Sequence, residues 1–203
     1  MIFFILDACA IARIYFPDIG TKNMLSIYNY PNSKMLAPNF AYSEAISALI
    51  STLNQRLIDQ SQYRLAYARL TSDFSTHKIR ATRISDAHVN LSARLLEKHK
   101  MQPGRMRLSG ADSIYLAIAL RLSMQIKRFD GRVILVTSDG ALYNSACDES
   151  SIETFHFWTC NLGCGCGTTI IPIKGASNSC PSCGKTCAIC RIDLCPSTYS
   201  PRF

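Results

Sequence analysis

Four acids and eight thiols carry the chemistry this sequence could perform. Asp7 follows the apolar run Ile2-Phe3-Phe4-Ile5-Leu6, and Asp139 follows Val136-Thr137-Ser138. Glu44 and Asp112 stand in otherwise apolar surroundings, Ala41-Tyr42-Ser43-Glu44-Ala45-Ile46 and Gly110-Ala111-Asp112-Ser113-Ile114-Tyr115-Leu116-Ala117. Singly, each has an ordinary explanation: Asp caps helices, and acids in a first helical turn are favoured by the helix dipole. As a set gathered at one rim they would repel one another unless a hard cation neutralised them. An all-oxygen donor set, with neither His nor Cys, selects Mg2+ or Mn2+.

The thiols are segregated. Only Cys9 and Cys147 precede residue 160; the other eight are Cys160, Cys164, Cys166, Cys180, Cys183, Cys187, Cys190 and Cys195. Cys180-Pro181-Ser182-Cys183-Gly184 has the form of a zinc knuckle, in which a tight turn aims two sulfurs at one ion, and Cys187-Ala188-Ile189-Cys190 repeats the spacing. So small a module needs the metal in order to fold. Cys160 and Cys164 with Cys180 and Cys183 are the first choice of quartet. Cys166, Cys187, Cys190 and Cys195 are left for a second site, giving one or two Zn2+. His156 could replace one thiol, although a single His at the end of a strand is more often a surface residue. Disulfides would need an oxidising compartment, for which there is no signal peptide; an iron–sulfur cluster or spectator thiols are the other readings.

The elements that must position the acids follow from pattern. Residues 2–6 form an unbroken apolar run, as in a strand buried on both faces, and residues 133–137 are a second, β-branched one. Helices are expected at 8–16, 40–53, 59–74, 85–99, 110–122 and 140–146, with Ser85-Asp86 and Ser109 as caps. Short strands are expected at 78–84 and 152–157, and Pro103-Gly104 marks residues 100–108 as a loop. Strands alternating with helices make an α/β fold, a parallel sheet covered by helices on both faces. In such sheets sites form beyond the carboxyl ends of the strands, which puts Asp7 and Asp139 on one rim. The expected organisation is a domain over residues 1–157, a small Cys-rich zinc-binding module over 158–195 and a loose tail over 196–203.

Composition narrows the classes. The 203 residues carry 22 Lys and Arg against 14 Asp and Glu, a net charge of +8, and 18% are charged. General disorder is therefore not expected, and no apolar run approaches the roughly 18 residues that span a bilayer. The apolar start is too short for a secretory signal and is interrupted by Asp7, so a cytoplasmic protein without a membrane partner is expected. The excess of base suits a polyanion only weakly. Arg105 and Arg107, in the loop before the Asp112 helix, are placed for phosphate contacts. Lys127, Arg128 and Arg132 precede the strand that ends near Asp139, roughly 20 Å away, and read as a solvated edge. Lys78, Arg80 and Arg83 read the same way.

The four motifs, in order, resemble a PIN domain: Ile5-Leu6-Asp7-Ala8-Cys9-Ala10-Ile11-Ala12-Arg13-Ile14-Tyr15, Ser43-Glu44, Ala111-Asp112-Ser113-Ile114-Tyr115-Leu116-Ala117 and Val136-Thr137-Ser138-Asp139. The resemblance covers about residues 1–155. It implies a parallel-sheet fold and an endoribonuclease that hydrolyses single-stranded RNA to 5′-phosphate and 3′-hydroxyl ends. Asp7, Glu44, Asp112 and Asp139 would hold Mg2+ or Mn2+. The spacing from Asp112 to Asp139 is longer than the family pattern, which makes Asp130 a second candidate for the fourth position. A haloacid-dehalogenase reading fails, because its Asp-x-Asp pattern would need an acid where Cys9 stands. A PIN domain followed by a zinc ribbon is also the layout of a ribosomal-RNA processing endonuclease, whereas VapC toxins share the PIN domain and usually lack such a tail. RNA is thus the expected partner, with an antitoxin or a ribosomal particle as alternatives and self-association as a homodimer left open. A catalytically silent PIN scaffold binding RNA or protein is the competing function.

Overall fold

Ile2–Leu6 forms β1, with Phe4, Ile5 and Leu6 fully buried, because an apolar run without alternation suits a strand covered on both faces. The structure, a computed structural model, describes residues 1–17, 20–100 and 106–157. Ser33–Pro38 is β2, Ile79–Thr82 is β3, Arg132–Thr137 is β4 and Glu153–His156 is β5. All pair in parallel in the order β3-β2-β1-β4-β5. β1 therefore lies between β2 and β4, and the strand order reverses there. Crevices of this kind open beyond the carboxyl ends of the strands at the reversal. The register pairs Leu6 with Val136, and the ladder continues one step further through the Asp7 amide, which donates to the Val136 carbonyl.

The helices are α1 (Ala8–Tyr15), α2 (Thr21–Tyr28), α3 (Ala41–Asn54), α4 (Gln60–Ser75), α5 (Asp86–Lys98), α6 (Gly110–Ile126) and α7 (Gly140–Cys147). α1 packs on α2, α3 and α4; α6 lies against β1, β2 and β4 and carries α5 on its outer side. α6 is buried along Tyr115–Leu120, as a helix held between a sheet and another helix should be. A buried bond of 2.6 Å between the Ser92 and Ser113 hydroxyls fastens α5 to it. On the other side Asp73 of α4 accepts from the Tyr15 and Tyr28 hydroxyls at 2.8 and 2.9 Å, tying the ends of α1 and α2 to α4.

Two elements lay outside the sequence expectation. α2 has a narrow apolar stripe, only Met24 and Ile27 being buried, and starts from Gly20 at φ 87°, a left-handed conformation that glycine adopts freely. β2 begins with Ser33-Lys34 and ends on Pro38, which hides the strand pattern. The expected helix at 110–122 runs on to Ile126 and closes with a 3₁₀ turn, Lys127–Phe129, and this absorbs the long spacing before Asp139. Among the described residues no helix is long and apolar enough to cross a membrane.

Candidate active site

Asp7, at the end of β1, is the N-cap of α1 and is almost fully buried. Its Oδ1 accepts from the Ala10 amide at 2.5 Å, and its Oδ2 accepts from the Thr137 hydroxyl. The same Thr137 oxygen accepts the Asp139 amide at 2.9 Å, so one hydroxyl holds two acids in relation to each other. Asp139 caps α7 in the same way, its Oδ1 accepting from the Leu142 amide at 2.8 Å. The strand–acid–helix pattern thus occurs twice, on the adjacent strands β1 and β4, and sets both carboxylates on one rim.

Asp112 reaches that rim from the first turn of α6. Ser109 caps the helix by accepting the Asp112 amide at 3.1 Å, and its hydroxyl donates to Asp112 Oδ2 at 2.6 Å. Glu44, in the first turn of α3, is held differently. Its Oε2 accepts from the Tyr115 hydroxyl at 2.7 Å, and the Tyr115 ring packs edge-on against Phe40 at 5.5 Å. Tyr115 is one turn beyond Asp112 on α6, so a single helix positions two of the four acids.

The electrostatics follow from burial. Desolvation raises the Asp7 carboxyl to about 7 against the lowering effect of its Thr137 and Ala10 bonds, and the charges of Asp112 and Asp139 raise it further. Asp112 is raised as well, by desolvation first, with Ser109 opposing and Asp139 adding to the rise. Burial, then the bond to Glu44, push the Tyr115 phenol well up, with Asp7 contributing, so it is a fixed donor. Cys9 is exposed, yet desolvation of its sulfur and the negative charge of Asp7 push its thiol up to about 12. It is therefore a poor thiolate ligand.

Each acid influences the titration of a neighbour: Asp7, Asp112 and Asp139 form one coupled group, and Glu44 joins through Tyr115. Among the described residues no three His, Cys, Asp or Glu side chains converge, as they stand, on a point that would hold a metal ion. The donor chemistry fits a hard divalent cation nonetheless. These are oxygen donors, and a dication would offset both the desolvation that chiefly raises the Asp7 carboxyl to about 7 and the smaller repulsion from Asp112 and Asp139. Asp130 lies at the other end of β4, in the exposed turn before it, and so takes no part in the rim.

Tyr115 was not legible as a site residue, and His156 was weighed only as a zinc ligand. Tyr115 was read only as part of an apolar helix; its place one turn after Asp112 was the available signal. His156 ends β5 in register with Thr137, which brings it beside the rim. Burial lowers its pKa, while a hydrogen bond with the Ser138 backbone and the charge of Asp139 act the other way. Arg107 is exposed in the loop before α6, and Met106 beside it lies over the start of α7, its Cε 2.9 Å from where a Cβ on Gly140 would stand. Arg105 and the eight cysteines Cys160, Cys164, Cys166, Cys180, Cys183, Cys187, Cys190 and Cys195 lie outside the described residues, as does the whole expected zinc module.

No family model matches the chain, and no curated protein matches it in sequence. In three dimensions it is similar to a chain in the crystal structure of FitAcB from Neisseria gonorrhoeae, with a TM-score of 0.51 and 13% identity, over 76% of this chain and 98% of that one. At that identity the likeness speaks to architecture alone: the chain has a PIN-like α/β fold built on a five-stranded parallel sheet.

Proposed function

We propose that this protein is a metal-dependent endoribonuclease acting on single-stranded RNA, and that Asp7, Glu44, Asp112 and Asp139 hold Mg2+ or Mn2+ at the carboxyl rim of the sheet. The observation that carries the reading is the coupled acid group around the buried Asp7, supported by the PIN-like fold. When bound, such an ion lowers the pKa of water and stabilises the charge of the attacked phosphodiester. The chain's own residues orient the donors. Thr137 fixes Asp7 Oδ2 and the Asp139 amide, Ser109 fixes Asp112 Oδ2, and Tyr115 fixes Glu44 Oε2. Arg107, exposed beside the rim, meets the phosphates of the strand, with Arg105 alongside it in sequence. Residues 158–195 bind one or two Zn2+ through thiolates and help to place the RNA; elemental analysis of the purified chain counts them, and less than one zinc per chain would remove that part of the reading.

The test is cleavage of a single-stranded RNA by the full chain with Mg2+ or Mn2+, with the ends of the fragments identified. The expected products carry 5′-phosphate and 3′-hydroxyl groups, and EDTA abolishes their formation. Cyclic phosphate ends, or cleavage that survives EDTA, would argue against metal-assisted hydrolysis. Two observations favour a second reading, a catalytically silent scaffold: Glu44 is already engaged by Tyr115, and among the described residues no three acids converge as they stand. RNA binding without metal-dependent cleavage would establish it. Control of the nuclease by an antitoxin is a further form of the first reading, and an adjacent gene for a small DNA-binding partner would support it.

A further inference from the structure

The other end of the sheet carries a second charged feature, of opposite sign to the rim. Lys34 near the start of β2, and Lys78 and Arg80 at and just before β3, come side by side because Met35 pairs with Ile79 in parallel register. With His77 they line a hollow of about 650 Å³ floored by Met35 and Phe74, and no carboxylate lines it. None of the four forms a salt bridge among the described residues. The two ammonium groups are placed rather than free in solvent: Lys78 Nζ stands 4.7 Å from the centre of the Tyr28 ring and Lys34 Nζ 6.0 Å from that of Phe3. The nearest acid in sequence, Asp73, is turned to the Tyr15 and Tyr28 hydroxyls. β3 is an edge strand, so the hollow opens at the side of the sheet, where a chain could pass across it.

We propose that this hollow is a second binding site for the backbone of single-stranded RNA, remote from the carboxylates. The inference rests on the RNA reading above and names where the substrate is gripped. Unpaired cations beside an apolar floor suit phosphates and the face of a base, the combination by which single strands are held without sequence preference. Six residues of β2 separate the hollow from the rim, about 20 Å, so a long strand can touch both and a short one cannot. Lys78 and Arg80, read from sequence as a solvated edge, are thus gathered with Lys34 into one recognition surface by the β2–β3 pairing.

The experiment measures RNA affinity by fluorescence anisotropy in EDTA, where no cleavage intervenes, with the full chain. A triple variant, Lys34→Gln with Lys78→Gln and Arg80→Gln, is compared with a control of equal charge change, Arg64→Gln with Arg94→Gln and Arg128→Gln. For a strand of about 20 nucleotides the hollow variant should bind about tenfold or more weakly, and the slope of log K against log salt should fall by about 2. The control should change affinity much less. Equal weakening by both triple variants, or wild-type affinity in the hollow variant, would overturn the proposal. Arg80→Glu alone, a single exposed change, should reproduce the loss in part if the triple variant folds poorly. The two readings fail separately. A failed hollow leaves cleavage intact with unchanged long-strand affinity, and a failed nuclease reading leaves the affinity difference intact without cleavage.

Discussion

Asp7 is the residue on which the site turns, because its burial makes it costly to ionise. Its carboxyl titrates near 7 in the folded chain and at the ordinary 3.8 when unfolded, a difference worth about 4 kcal/mol. Below about pH 4 both states hold the proton and the group is neutral to stability. Between about 4 and 7 only the unfolded chain releases it, so stability falls as pH rises, and above that range the full penalty applies. Metal-free Asp7→Asn should therefore be more stable than wild type at about pH 8, by a few kcal/mol in urea denaturation, with the gap closing towards pH 4. Equal stability at both ends would mean that Asp7 is not held under strain. Thr137 opposes the shift by donating to Asp7. Thr137→Val should raise the Asp7 carboxyl further and release the Asp139 amide, so that the pH–rate profile moves to higher pH and cleavage recovers in part on the alkaline side. Much of this was legible: an acid ending each of two apolar strands was enough to place Asp7 and Asp139 together. The role of Tyr115 was not, since a tyrosine in an apolar helix reads as core until α3 is seen to bring Glu44 to it.

Three of the four acids are set at the rim by one device, the side-chain-capped start of a helix, and Glu44 comes from the first turn of α3. α1 and α7 begin on the acids that end β1 and β4, and α6 begins with Ser109 gripping Asp112. Because α6 also carries Tyr115, its placement against β1 and β4 relates Asp112 and the hydroxyl that holds Glu44 to Asp7 and Asp139 at the ends of those strands. Tyr115→Phe keeps the packing on Phe40 and removes the hydroxyl that holds Glu44. Stability should change by only about 1 kcal/mol, whereas calorimetric affinity for Mn2+ should fall about tenfold. An unchanged affinity would show that Glu44 does not depend on Tyr115, or does not serve the metal. At this scale the sequence was a fair guide where periodicity was strong, as in α1, α3 and α5. It failed at α2 and β2, where a two-residue apolar stripe and a polar strand start leave tertiary pairing to decide the structure.

Among the described residues the molecule is polarised along its strands, with carboxylates at one end of the sheet and cations without a salt bridge at the other. The net charge of +8 conveys neither feature, because it sums over both. The acidic end could be foreseen, since strand ends in a parallel sheet share a rim. The basic hollow could not, since Lys34 and Lys78 meet only through the pairing of β2, the strand the pattern concealed. The central claim is that the acidic end cleaves RNA, and the most direct measurement is the cleavage rate of purified Asp7→Asn/Asp112→Asn against wild type, in Mg2+ or Mn2+, with folding of both confirmed by thermal melting. The account predicts a rate lower by about a thousandfold or more, equivalent to about 4 kcal/mol of lost transition-state stabilisation, with the variant folded. A folded double variant that cleaves RNA as fast as wild type would contradict it.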